Sequence, residues 1–143
     1  MTTFLKSLFR GALLLLTFAI LATAQIANQM IFTTTFPFYA GNAKMPAGTY
    51  TVTPVQNTDS GLLQIEDANG SHSCFVEFIG IRADSPHPQT DVSFKKYGQV
   101  DFLSDIWVQG QNYGMQMIPG KAEQLAAKNA SANRHSVSGK NGG

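Results

Sequence analysis

Cysteine is almost absent from this chain of 143 residues: Cys74 stands alone. A single thiol closes no internal disulfide, so the fold must be held by core packing. Charge is also sparse and nearly balanced, with 10 basic and 9 acidic side chains. A chain without a basic surplus is poorly suited to nucleic acid or to anionic lipid. Three histidines, His72, His87 and His135, are far apart, and none has a partner at metal-ligand spacing. No G-x-S-x-G elbow surrounds Ser73 or Ser104, and the glycines at 41, 48, 61 and 70 read as turn residues rather than a phosphate loop. No metal, cofactor or catalytic set is therefore expected, and an enzyme is the least favoured class.

The chain does contain an address. Lys6 and Arg10 precede the apolar run Ala12 to Ala22, and Ala22-Thr23-Ala24 offers a small-x-small cleavage site. The uncharged stretch from Gly11 to Ala24 is shorter than the roughly 20 residues of a membrane span. Residues 1–24 thus read as a cleaved secretory signal, with no span left after cleavage. Lys6 and Arg10 leave with it, so the mature chain has 8 basic against 9 acidic groups, net −1. The expected compartment is periplasm, cell surface or medium.

The stretch from Val92 to Val108 organises the rest of the chain. Val92 and Phe94 alternate with polar neighbours, Lys95-Lys96-Tyr97-Gly98 interrupts, and Val100, Phe102, Ile106 and Val108 resume the alternation. Period two on both sides of a glycine turn predicts a hairpin with one buried face. Upstream, Met30, Phe32, Phe36 and Phe38 share a register, and Pro37 predicts an edge or a bend. Tyr50 and Val52 should face inward on a second strand, and Asn69-Gly70 should form a tight turn. From His72 to Ile81 apolar residues occupy both registers, which predicts burial on both faces. Lys121 to Lys128 is the one helix candidate, with Ala122, Leu125 and Ala126 as its apolar stripe. Residues 129–143 are mainly Ser, Asn, Gly and Lys with one valine, which predicts a disordered tail. The expectation is a single β domain over 25–128, an antiparallel sandwich or small barrel of six to seven strands with a short C-terminal helix.

Several motifs carry a family likeness. Pro37-Phe38, Met45-Pro46-Ala47-Gly48-Thr49-Tyr50-Thr51-Val52, Phe94-Lys95-Lys96-Tyr97-Gly98 and Phe102-Leu103-Ser104-Asp105-Ile106-Trp107 stand in order along the chain. Together they resemble a group of small exported β-rich acidobacterial proteins with the pattern P-F-x-F, L-P-A-G-x-Y-x-V, F-x-R-Y-G, F-L-S-x-I-W and S-K-A-E-R-E-L-A. The chain departs from it with Met45 for Leu, Lys96 for Arg, Gly120 for Ser and Gln124 for Arg. The resemblance implies an exported envelope protein with a β fold, and no particular activity.

Candidate sites are few. His72 and Cys74 lie two apart on one strand, about 7 Å, too far for direct proton transfer. Asp101 and Asp105 should share one strand face roughly 13 Å apart, beyond paired-carboxylate chemistry, and so read as two solvated surface acids. The remaining candidate is a surface strip of Lys95, Tyr97, Asp101, Asp105 and Trp107, able to bind a glycan or another small ligand. The competing expectation places Trp107 and Leu103 in a second core layer or under the helix, with Leu125 as the helix's seat. The leading functional expectation is a non-catalytic structural or interaction domain of the bacterial envelope, with an unknown envelope protein or another copy as partner. The Thr-rich strand from Asn28 to Tyr39 could then be lent to a neighbour.

Overall fold

A computed structural model describes residues 29–55 and 61–142. The signal segment lies outside the described residues. The described residues form ten strands and one helix in the order β1 Gln29–Thr34, β2 Phe38–Ala40, β3 Ala43–Met45, β4 Gly48–Pro54, β5 Leu62–Asp67, β6 Ser73–Arg82, β7 Asp91–Tyr97, β8 Val100–Trp107, β9 Tyr113–Met117, α1 Lys121–Asn129 and β10 Ala132–Gly142.

Eight strands close on themselves in the order β1-β4-β5-β6-β9-β8-β7-β10, each antiparallel to the next. Of the two β architectures expected, the barrel is the one formed, with more strands than the six or seven foreseen. β8 keeps β7 along one edge and divides the other. Asp105 to Trp107 pair with β9, while Phe102 meets Tyr39 of the parallel strand β2. The β2–β3 hairpin is thereby an outer flap on the barrel wall, reached through the bend at Pro37.

The largest departure from the sequence reading is the C-terminus. Residues 132–142 are the strand that closes the barrel, held by β1 on one edge and by β7 on the other. Most of its residues are exposed, in keeping with the polar composition, and space is tight at Gly139. A Cβ on Gly139 would stand 2.8 Å from the Thr90 methyl and 3.3 Å from the Met30 sulfur. What holds β10 is backbone pairing on both edges rather than side-chain burial. The same arrangement occupies both edges of β1, between β10 and β4. A strand so paired is not available to lend to a neighbour.

One end of the barrel is filled with rings. Phe32, Phe38, Tyr50 and Phe94 are fully buried, with centroids 5.2 to 6.3 Å apart. Phe36, in the bend between β1 and β2, meets Phe94 edge-on at 5.1 Å. Tyr50 and Val52 face inward as expected, and the Tyr50 hydroxyl donates to the Pro46 carbonyl. The expected turns at Asn69-Gly70 and Tyr97-Gly98 are present, with φ of 69° at Gly70 and 62° at Gly98.

β6 is not buried on both faces. Val76 is inside, whereas Phe75 and Ile79 are 61% and 52% exposed on the outer face. The helix also seats differently from its apolar stripe: Leu125 is 52% exposed, and the buried side chain is Glu123. Asn42, in the β2–β3 turn, caps this helix from a distance of 80 residues, its Oδ1 accepting from the Ala122 amide at 3.4 Å. A Cβ on Gly120 would come within 2.5 Å of that oxygen, so glycine at the cap position makes room for Asn42.

Candidate ligand site

The five residues of the expected surface strip do not form one. A bulge in β8 is the reason. Opposite β7, Phe94 pairs with Leu103 and Ser93 with Asp105, which leaves Ser104 as an extra residue. An extra residue reverses the alternation beyond it. Asp101 and Asp105, four apart, therefore point to opposite faces, and both are 5% exposed rather than solvated.

Asp101 turns inward. Its Oδ1 stands 2.5 Å from His135 Nε2, and the His135 ring stacks on Phe94 at 5.6 Å and meets Phe36 at 5.0 Å. Asp105 turns outward, accepting from Arg134 Nη1 and from Gln116 Nε2. On the same outer side, the Tyr97 hydroxyl donates to Glu123 of α1 at 3.3 Å. Lys95 lies close enough to act on that carboxyl electrostatically. Lys95, Tyr97 and Asp105 are thus brought together, as the charged bed of the helix. Trp107 sits at the far end of the hairpin, opposite Asp91, with the His87 ring stacked on it at 5.2 Å. It packs so closely on Gly114 that a Cβ there would lie 2.7 Å from the indole.

Burial moves two groups in ways that can be measured. Glu123 has its pKa raised above 4.5, chiefly by burial, which the charge of Lys95 and the Tyr97 bond only partly oppose. A carboxyl that binds its proton more tightly when folded adds stability below its unfolded pKa, and this is lost as pH rises through the folded value. Glu123→Gln, a fixed mimic of the protonated form, should flatten that loss. Melting curves of both proteins from about pH 4.5 to neutrality check this against the difference expected. Cys74 is pushed from 9.0 to about 11 by burial alone. Its thiolate fraction near neutrality is then about a hundredfold below that of a free cysteine. Labelling by a thiolate-specific reagent should be slower in the native protein than in the denatured chain by at least that factor.

Opposite the aromatic end, the barrel mouth holds an open recess over the buried Met30, Val52 and Leu63. A cavity of about 330 Å³ opens where β1, β5 and β9 begin and β4, β8 and β10 end. Met30, Val52, Leu63 and Met115 supply its apolar wall, and Gln29, Gln109, Gln111 and Asn141 bring carboxamides to it. The polar edge is organised from within. Thr90 is 4% exposed, and its Oγ1 accepts from the Gln109 amide at 3.1 Å while donating to Asn141 Oδ1 at 3.2 Å. One buried hydroxyl thereby ties the β8–β9 connection to the last turn of β10.

No family model, curated protein or solved structure matches this chain. Among the described residues no helix is long and apolar enough to cross a membrane.

Sequence reasoning missed every residue of the cavity as a site. Its wall comes from six strand ends spread from Gln29 to Gly142, and no local spacing records that they meet. Met30, Val52 and Val108, already assigned to inward registers, gave a partial signal.

Proposed function

We propose that this protein is an exported, non-catalytic binding module that holds a small molecule in the open mouth of its barrel. The observation that carries the reading is the asymmetry of the interior: rings fill one end, and a cavity of about 330 Å³ with an apolar wall and a carboxamide edge occupies the other. That volume lies at the lower end of the range typical of ligand pockets, and small barrels commonly bind one ligand in this way. The non-catalytic part rests on how the titratable groups are used. Asp101 is committed to His135, Asp105 to Arg134, and Cys74 keeps its proton. Export rests on the signal-like segment 1–24 and on the resemblance to exported envelope proteins.

Native mass spectra of the mature protein, purified from its own host, test this. The expected result is a chain carrying a bound mass of a few hundred daltons, lost when the cavity is filled by Val108→Trp. A bare monomer, from host material never exposed to detergent, would contradict it.

A second reading, an interaction domain of the envelope, is favoured by one observation. Phe75, Ile79 and Ile118 are 61%, 52% and 43% exposed on the outer wall formed by β6 and the end of β9. Isolated exposed apolar residues are ordinary, but several on one sheet face can serve as a protein contact. In the same spectra, a mixed complex that dissociates in Phe75→Ser would support this reading.

A further inference from the structure

The chemistry of the cavity lining narrows what it can hold. We infer that the mouth takes an uncharged amphiphile, an apolar body of roughly a dozen non-hydrogen atoms bearing one hydroxyl, amide or ester, and that it discriminates against the corresponding carboxylate and ammonium. This rests on the reading of the cavity as a ligand site.

Size comes first. About 330 Å³ is the space of about eleven water molecules at ~30 Å³ each, which sets the scale of the occupant. Charge comes next. Among the described residues, none of the twelve that line the cavity is Asp, Glu, Lys, Arg or His. An ionised group seated against Met30, Val52 and Leu63, which are 5%, 2% and 0% exposed, would lose hydration without meeting a charged side chain of the described lining. A neutral polar group fares differently, because carboxamides offer both donors and acceptors. The Thr90 hydroxyl already occupies Asn141 Oδ1, so the Asn141 NH₂ is left to donate. The matching ligand group is then a neutral oxygen that accepts, as in an alcohol, ester or amide. Shape is the least restricted property. Met30 and Met115 face the cavity from two sides of the barrel, and thioether side chains adapt to different outlines. Polarity rather than outline therefore defines the class.

The test compares three probes of one chain length by calorimetric titration into the mature protein: 1-decanol, decanoate at pH 8 and decylammonium at pH 7. The alcohol is expected to bind at least tenfold tighter than either ion. Gln111→Glu, at an exposed lip position, should raise decylammonium affinity severalfold and leave the fold intact. Val108→Trp should abolish binding of all three. Equal binding of alcohol and decanoate, both lost in Val108→Trp, would overturn neutrality and leave the cavity as the site. Alcohol binding that persists unchanged in a folded Val108→Trp protein would overturn the cavity reading itself. No alcohol binding at its solubility limit would overturn the ligand class.

Discussion

Deleting residues 132–142 is expected to unfold the domain, not to trim it. β10 contributes four paired positions to β1 and seven to β7, and it is the strand that lies between those two in the sheet. Without it, β1 and β7 would each present a row of unpaired amides and carbonyls, and the inward faces of Phe94 and Met30 would open to water. The truncated chain should lose its cooperative thermal transition and its near-ultraviolet circular dichroism, and it should aggregate as free β edges do. A truncated chain that melts with the parent's cooperativity and midpoint would show that β10 is dispensable. Milder versions obey the same logic. Gly139→Val drives methyl groups into Thr90 and Met30 and should destabilise the same seam.

The second large effect is at the filled end. Phe94 is 0% exposed and meets Phe32, Phe36, Phe38 and the His135 ring. Phe94→Ala removes the ring on which the others converge, and substitutions of this kind cost about 3–5 kcal/mol. Against a typical total of about 5–15 kcal/mol, that is a large share of the stability. For a domain of this size the melting midpoint should fall by roughly 4 °C for each kcal/mol. Phe75→Ala provides the contrast. It deletes the same ring from a position 61% exposed and should change stability by about 0.5 kcal/mol or less. Comparable losses from both would mean that the outer face of β6 is covered.

These two expectations also mark what could be read from the sequence. The hairpin around Gly98, the turn at Asn69-Gly70 and the inward Tyr50 and Val52 were legible because each depends on a few adjacent residues. Strand β10 was not. Val137 is its one sizeable apolar residue, and pairing on both edges leaves no mark in composition. The Ser104 bulge was equally silent, since no glycine or proline signals it, yet it alone decides that Asp101 and Asp105 part company. Phe75 and Ile79 misled in the opposite direction, because apolar alternation records hydrophobicity and not which face is covered. Of the expected strip, Lys95, Tyr97 and Asp105 do gather, but beneath a helix whose buried contact is a carboxylate. The cavity depends on long-range closure, so it became visible only when the barrel was complete.

The most direct test of a ligand-holding mouth uses the methionines as built-in reporters. Met30 and Met115 line the cavity, whereas Met45 and Met117 are 1% and 4% exposed in the packed core and do not line it. Methyl spectra of the mature chain carrying ¹³C-labelled methionine should be recorded while 1-decanol is added. The Met30 and Met115 methyls are expected to shift and saturate together while those of Met45 and Met117 hold still. Four unmoved methyls together with saturable shifts at amides around Phe75 and Ile79 would contradict a ligand-holding mouth and turn attention to the outer wall.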